Sequence, residues 1–460
     1  MGTVFQATDH IYFIGIGGIS MSALAEMLAS RNIKVSGSDM KASKITDELQ
    51  NQGITIYIGQ KAENINDDVT HVVYTAAIAP NNPELKYATE KKIPLVQRGT
   101  LLGEIMTEHP HSVGVAGTHG KTTTTSMVSE ILLSANLDPT ITVGGILPTI
   151  GSNLRIGKSS YFVAEACEYC NSFLSLSPTV GIILNVEEDH LDFFSSLEEI
   201  YESFHEYAQK IPDHGLLILN AEIENMEEIT KNLTTSIETF SVEEGTSADW
   251  VAKNITYHDE GSTTFDVYYH DEFQETIHLN IPGNYNITNA LASIATAHFF
   301  EIESAHWKSG LLRFMGTQRR FQRKGEKNGV AVIDDYAHHP TEIVATLEAV
   351  AMMKHKKTWC IFQPHTYTRT KFLLQEFATS FASVDEVILT DIFAAREVDD
   401  GSISSEMLAE KITEAGSVVH HISKFSDIVS FLEKNCSAGD LVLTLGAGDV
   451  YLIGEQFLGK

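Results

Sequence analysis

The sequence predicts an α/β protein of three successive domains, each built on a mostly parallel sheet. Three observations lead there. Short apolar runs at Ile11-Tyr-Phe-Ile-Gly-Ile-Gly17, Ser112-Val-Gly-Val-Ala-Gly117 and Gly329-Val-Ala-Val-Ile-Asp334 each run into a glycine-rich or polar turn. Each run opens a stretch in which apolar strands alternate with amphipathic helices, the pattern of strands covered on both faces. The chain, at 460 residues, is also too long for one core, with roughly 150 residues per domain as a guide.

The first domain, residues 1–107, reads as strand 11–17, helix 18–31 and strand 33–38, then further strands and helices to about residue 106. Thr107-Glu-His-Pro-His111 is the expected joint. The second domain, residues 108–315, carries strands near 112–117, 139–143, 160–166, 179–186 and 215–219. It closes with a polar β-rich stretch over 236–281 and a helix from Asn286 to Phe300, and Arg313-Phe-Met-Gly-Thr-Gln318 is the second joint. The third domain, residues 316–460, alternates strands at 330–334, 358–362, 386–390, 417–421 and 440–445 with helices.

Thirty-two basic against 61 acidic residues argue against a broad nucleic-acid or anionic-membrane surface. A phosphate-rich ligand must then be held by backbone N–H groups and a few placed cations. No apolar run approaches the ~20 residues of a membrane span, and the polar stretch from Met1 to His10 lacks a signal-peptide pattern. Four cysteines indicate a reducing compartment without a disulfide framework, and the cytoplasm is the expected location. The chain is expected to act as a monomer or weak homodimer.

The sharpest local signal is Gly117-Thr118-His119-Gly120-Lys121-Thr122-Thr123, directly after a strand and before a helix. Such a turn points backbone N–H groups into one concavity, and the helix N-terminus adds positive potential. Lys121 can reach the β- and γ-phosphates of ATP, and the Thr122 hydroxyl can ligate magnesium. Val115 stands where the full eight-residue motif has glycine, so the match is to a shortened form; the plain alternative is a Gly-Lys-Thr that only caps a helix. Two further apolar strands end near carboxylates: Tyr161-Phe-Val-Ala-Glu165, and Gly181-Ile-Ile-Leu-Asn-Val186, which runs into Glu187-Glu-Asp-His-Leu-Asp192. If these strands flank the phosphate loop, Glu165 and His190 can both face the metal; otherwise they are solvated strand ends. Cys167-Glu-Tyr-Cys170 has neither a second CxxC nor a thioredoxin-like setting, so ordinary thiols are expected rather than a redox or zinc site.

In the first domain Gly15-Ile16-Gly17-Gly18-Ile19-Ser20 follows its strand, with Ser38-Asp39 about 20 residues on at the end of the next. A dinucleotide fingerprint wants glycine where Ser20 sits. A phosphate or diphosphate on Gly15, Gly17 and Gly18, with Ser38 and Asp39 near a ribose, remains the expectation, and a nicotinamide oxidoreductase is the rival from another class. The third domain adds Gln318-Arg-Arg-Phe321, Asp334-Asp-Tyr-Ala-His-His-Pro340 and Gln363-Pro-His-Thr-Tyr-Thr-Arg369, strand-end cations and imidazoles suited to a polyanionic transition state. Paired histidines can also bind metal, but no third ligand has diagnostic spacing. The first and third domains read as Rossmann-like, the central one as a P-loop ATPase-like domain.

Taken together these motifs resemble the Mur ligases, over essentially the whole chain from Gly15 to Gly446-Ala-Gly-Asp449. By this resemblance Gly117–Thr123 is the ATP loop, Glu165 and His190 bind magnesium, Gly283-Asn-Tyr-Asn-Ile-Thr-Asn289 places Asn289 on the adenine side, and Arg320 and Asp335 hold ATP phosphate and ribose. Asp334-Asp-Tyr-Ala-His-His-Pro-Thr-Glu342 with Pro364-His-Thr-Tyr-Thr-Arg-Thr370 looks like the branch that adds L-alanine. The implied reaction phosphorylates the carboxylate of UDP-N-acetylmuramate to an acyl phosphate, which the alanine amine attacks. Lys121, His338, His339 and Arg369 are the implied catalytic group, one histidine positioning the amine or taking its proton, and closure about the two joints would keep water from the acyl phosphate. Two positions depart from the pattern: Thr366 replaces an arginine common in the alanine-adding branch, and His205 stands where later ligases of the pathway carry a carbamoylated lysine. The nearest rival in chemistry is the family's murein-tripeptide recycling ligase; a P-loop protein that binds ATP without turnover is the third.

Overall fold

The computed structural model describes residues 5–75, 77–190, 193–243, 245–395 and 397–460. Two compact units organise the chain, one of residues 1–240 with 292–306 and the other of residues 241–291 with 307–460.

The first unit holds two sheets. Strands β1 (His10–Ile14), β2 (Lys34–Asp39), β3 (Thr55–Ile58), β4 (His71–Tyr74) and β5 (Leu95–Gln97) form a five-stranded sheet in the order β3-β2-β1-β4-β5. All its pairings are parallel. β1 is buried at every position because helices cover both faces, which is why it reads as an unbroken apolar run. The chain order reverses between β1 and β4, so the turn at Gly15 opens at the switch point where such sheets bind ligands.

The second sheet of this unit runs β12-β11-β10-β6-β9-β7-β8. Its strands are β6 (His111–Ala116), β7 (Thr140–Leu147), β8 (Ser152–Arg155), β9 (Tyr161–Glu165), β10 (Val180–Ile183), β11 (Leu216–Asn220) and β12 (Ser236–Ser241). β8 is the antiparallel exception, paired with β7. β6 lies between β9 and β10, and the chain again changes direction beside it. The helix Arg98–Met106 rests directly on the segment Tyr169–Ser175. A Cβ on Gly103 would meet the Ser175 carbonyl oxygen at 1.9 Å, so only glycine permits this approach.

In the second unit, β13 (Trp250–Tyr257), β14 (Thr263–Tyr269) and β15 (Glu272–Leu279) form an antiparallel meander. Its other sheet has β16 (Gln322–Lys327), β17 (Val330–Asp335), β18 (Thr358–Phe362), β19 (Glu386–Leu389), β20 (Val419–His421) and β21 (Leu441–Leu445) in the order β16-β17-β21-β18-β19-β20. β16 is antiparallel to β17; the rest is parallel. Phe362, Phe377, Phe381, Leu389 and Leu443 fill the core on one face of this sheet. Each such side chain contributes about 1.5–3 kcal/mol by leaving water.

Most expected elements are present with boundaries moved by a few residues. The expected strand 11–17 ends at Ile14, because the chain turns at Gly15, whose φ is 80°. The sequence reading did not place β8, β16 or the helix Ser304–Arg313. β16 reads Gln-Arg-Lys-Gly-Glu-Lys, an exposed polar edge without the alternation that marks a half-buried strand. No helix among the described residues is long and apolar enough to cross a membrane.

Candidate active site

After β6 the chain turns through Gly117 (φ 135°), Thr118, His119 and Gly120 (φ 84°) into the helix Lys121–Ser134. Both glycines occupy conformations that side-chain-bearing residues avoid. The loop is fastened to the segment after β10. Asn185 bonds both the N–H and the carbonyl of His119. The Thr118 hydroxyl accepts the Glu187 N–H at 3.0 Å, while the Thr118 N–H donates to the Asn185 carbonyl at 3.2 Å. Thr122 and Thr123 follow, nearly buried, in the first helical turn.

The Lys121 ammonium donates to the carbonyls of Gly117 and Thr118 at 2.5 and 2.9 Å and to the Glu168 carboxylate at 3.0 Å. Burial pulls its pKa down, but Glu168, with smaller contributions from Cys167 and Glu165, holds it above the usual lysine value. Glu168 is itself 4% exposed. Burial pushes its carboxyl up, yet Lys121 and His190 outweigh that and keep it below the ordinary carboxylate range. His190 Nε2 lies 3.5 Å from the same carboxylate and 3.8 Å from Asp189, and its ring packs on Tyr169 at 4.7 Å. Leu191 and Asp192, which complete the Asp189-His-Leu-Asp192 segment, lie outside the described residues.

Glu165 ends β9, which pairs directly with β6. Its Oε1 accepts the Gly144 N–H at 2.5 Å, and among the described residues no hydrogen bond is formed to Oε2. The two strands on which the metal reading of Glu165 and His190 depends therefore do flank β6. The Thr122 hydroxyl and the Glu165 carboxylate are hard oxygen donors of the kind magnesium takes, whereas the His190 imidazole is a donor more usual for softer cations. The sequence reading missed Glu168 and Asn185. Glu168 had a signal, being three residues beyond Glu165; Asn185 had only its place at a strand end.

At the first sheet, the N–H groups of Gly15 and Ile16 both donate to the Ser38 carbonyl at 2.8 and 2.9 Å. Gly17 N–H donates to Asp39 Oδ2 at 2.9 Å, and Lys41 N–H to Oδ1 at 3.2 Å. Gly18 precedes the helix Ile19–Ser30 without a side-chain cap, leaving first-turn N–H groups for an anion. Ser38 departs from expectation. Its side chain is fully buried and donates to Glu84 at 2.5 Å, so its hydroxyl is turned away from any ribose and only its carbonyl serves the loop. Arg98 was not anticipated; it donates to Ser20 Oγ at 3.0 Å and puts a cation beside the glycine turn.

In the second unit β17 delivers Asp334 and Asp335. Arg319 bonds Asp334 at 3.2 Å and the carbonyls of Gly446 and Gly448 at 2.6 and 2.8 Å, so it braces the Gly446–Asp449 turn. Arg320 lies 3.5 Å from Glu342. Asp335 accepts the N–H groups of Phe321 and Ala337 at 2.6 and 2.7 Å. Burial pushes its carboxyl up to about 6, although Arg320 pulls the other way. Asn289 is buried on the helix Asn284–Phe299.

The two histidines divide their work. His338 Nδ1 must donate to the Tyr336 carbonyl at 2.9 Å, so in the neutral ring the lone pair is on Nε2. His339 is 5% exposed and caps the helix Pro340–Ala351, accepting the Thr341 N–H. Arg369 donates to His365 Nδ1 at 3.3 Å, and the His365 and His338 rings meet edge-on at 5.7 Å. Thr366, at φ 67°, caps the helix Tyr367–Phe372 by accepting the Arg369 N–H. Where arginine was expected, threonine thus orients the neighbouring arginine's backbone. His205 is nearly buried, bonded to the Ile229 carbonyl at 2.8 Å and to Gln209 at 2.9 Å, and so serves packing. The cysteines are free thiols, with Cys167 pushed up to about 11 by burial.

Three family models match along the chain: the Mur ligase family catalytic domain over residues 10–110, the Mur ligase middle domain over 115–297 and the Mur ligase glutamate ligase domain over 319–448. The chain is 51% identical to the UDP-N-acetylmuramate–L-alanine ligase of Lachnospira eligens, covering 99% of each, and 50% identical to that of Clostridium kluyveri, again over 99% of each. Among solved structures, the UDP-N-acetylmuramate-alanine ligase of Thermotoga maritima superposes with a TM-score of 0.83 at 27% identity over 98% of both chains. A murein peptide ligase of Psychrobacter arcticus gives 0.72 at 26% identity, also over 98% of both. With a lysine-bearing glycine loop after β6, three family models matched in series and full-length relatives at about half identity, the chain belongs to the Mur ligase family.

Proposed function

We propose that this chain is a cytoplasmic ATP-dependent ligase that joins L-alanine to the carboxylate of UDP-N-acetylmuramate in peptidoglycan precursor synthesis, releasing ADP and phosphate. The observation that carries the reading is Lys121 at the head of a glycine-framed loop, charged and bonded to Glu168, whose carboxylate also meets His190. The name shared by relatives at about half identity supports alanine as the amine.

The chemical difficulty is to bring a carboxylate oxygen against a polyanionic γ-phosphoryl group. Loop N–H groups and Lys121 would hold the phosphates and spread the charge that develops during transfer. Thr122, Glu165 and His190 would hold magnesium, which supplies further neutralisation of phosphate charge when bound. The turn through Gly15, Gly17 and Gly18, held in shape by Ser38 and Asp39, would let the UDP-sugar diphosphate approach closely and meet the first-turn N–H groups of the helix Ile19–Ser30. Asn289, Arg320 and Asp335 are assigned to adenine, phosphate and ribose by the family reading. For the amine, His338 is better disposed than His339, since its Nε2 carries the lone pair while His339 is committed to a helix cap. Arg369 would steady charge on the acyl phosphate. The proposed domains span residues 1–107, 108–315 and 316–460.

The test is ADP and phosphate release with L-alanine or the murein tripeptide as acceptor, each with and without UDP-N-acetylmuramate. Turnover that requires both L-alanine and the nucleotide sugar supports the proposal. Turnover with the tripeptide and UDP-N-acetylmuramate but not with L-alanine overturns it in favour of the recycling ligase.

A further inference from the structure

The three protons of the Lys121 ammonium have three acceptors: the Gly117 carbonyl, the Thr118 carbonyl and Glu168. A phosphate oxygen arriving in the loop must therefore displace one of them. The two carbonyls belong to the loop that cradles the ligand. Glu168 does not; it comes from the segment after β9, is almost wholly buried, and reaches both Lys121 and His190. It is an anion at the floor of an anion site, so it competes with phosphate for the ammonium and repels it as well. A buried ion pair of this kind is a weak device for stability, since desolvating both charges offsets much of their attraction. It is, however, an effective way to fix two side chains in one geometry.

We propose that Glu168 is a positioning residue that clamps Lys121 and His190 before nucleotide arrives and yields the ammonium on binding, trading nucleotide affinity for turnover. This rests on the phosphate-loop reading above. The two effects of losing the clamp have opposite signs. Without the competing carboxylate, nucleotide binds more tightly. Without the clamp, Lys121 and His190 lose their set positions and phosphoryl transfer slows. A residue needed only for folding would weaken binding and turnover together.

The experiment uses the full chain and ADP without divalent cation, followed by calorimetry, alongside steady-state kinetics with ATP, L-alanine and UDP-N-acetylmuramate. Glu168→Gln is expected to bind ADP roughly three- to tenfold more tightly, the scale of losing one charge-assisted competitor. Its kcat should fall at least about tenfold, the scale of losing one set hydrogen-bonding group in a reaction site, while KM for ATP falls too. ADP affinity that is unchanged or weaker in a variant with wild-type UDP-N-acetylmuramate affinity overturns the proposal. Should Glu168→Gln not fold, Glu168→Asp, which keeps the charge but is one methylene too short to span both partners, carries the test. It is expected to show the same two signs with smaller amplitude, and wild-type behaviour in both readouts overturns the clamp. Lys121→Ala separates the levels of the argument. If it binds ADP like wild type, the phosphate-loop reading itself fails. If it loses ADP while the Glu168 variants leave affinity unchanged, only the clamp fails.

Discussion

The side-chain amide of Asn185 clasps the backbone of His119 from both sides, Oδ1 accepting its N–H at 2.7 Å and Nδ2 donating to its carbonyl at 3.2 Å. The loop thus has its middle peptides tied to the segment after β10, with the Thr118 and His119 N–H groups occupied, so the donors open to a ligand are those at the start of the helix Lys121–Ser134. Asn185→Asp keeps the acceptor, loses the donor and places a carboxylate oxygen against a carbonyl. Each lost hydrogen bond is worth about 1 kcal/mol. With the added charge, KM for ATP should rise at least about tenfold, leaving UDP-N-acetylmuramate affinity unchanged. Initial-rate kinetics with each substrate varied in turn check this; a rise confined to the sugar would mean that the loop is held by other contacts.

Ser38 and Asp39 are neighbours with different work. Ser38 gives one of several donors to the buried Glu84 carboxylate, which also takes Tyr12 at 2.8 Å and Asn64 at 2.7 Å. Ser38→Ala should therefore lower unfolding free energy by about 1–3 kcal/mol, the cost of an unmet buried acceptor, with KM for the UDP-sugar within about twofold of wild type. Asp39→Ala removes the anchor of Gly17 and should raise that KM with little loss of stability. Denaturant titration beside kinetics distinguishes the two. The reverse pattern would put the Ser38 hydroxyl on the ligand.

His338 and His339 should separate in the same manner. His339→Ala deletes a helix cap and is expected to cost ~1 kcal/mol in stability, with the shape of the pH–rate profile kept. His338→Ala should change that profile if Nε2 takes the amine proton. Identical profiles for wild type and His338→Ala would leave His338 a positioning role only.

The Lys121–Glu168 pair makes stability depend on pH at both ends. The Glu168 carboxyl lies below its ordinary 4.5 in the folded protein. Its contribution is therefore present above that value and lost as pH falls through the lower folded value. Lys121 lies above its ordinary 10.5, so its contribution is present below that value and lost as pH rises through the higher folded one. The stability difference between wild type and Glu168→Gln should be flat between these limits and shrink on the acid side. Thermal unfolding across a pH series measures it, and a difference that grows toward acid would contradict the assignment.

By itself the sequence determined the plan of successive parallel α/β sheets and the glycine turns at their strand ends. Apolar strands running into Gly15, Gly117 and the Asp334-Asp335 corner are local facts, because a strand covered on both faces must be apolar throughout and a turn with positive φ, as at Gly15 and Gly117, favours glycine. The lysine-bearing loop was legible for the same reason. Only the tertiary structure decided which groups meet there. That Glu168 faces Lys121 and Asn185 holds His119 follows from β9 and β10 lying on either side of β6, an adjacency between segments about 50 to 70 residues apart in sequence. It decided too that Ser38 turns inward to Glu84 and that His339 accepts a helix-end N–H. Periodicity tells which face of an element is buried, but not which partner waits on the other side, and the chemistry of a buried polar group is set by that partner.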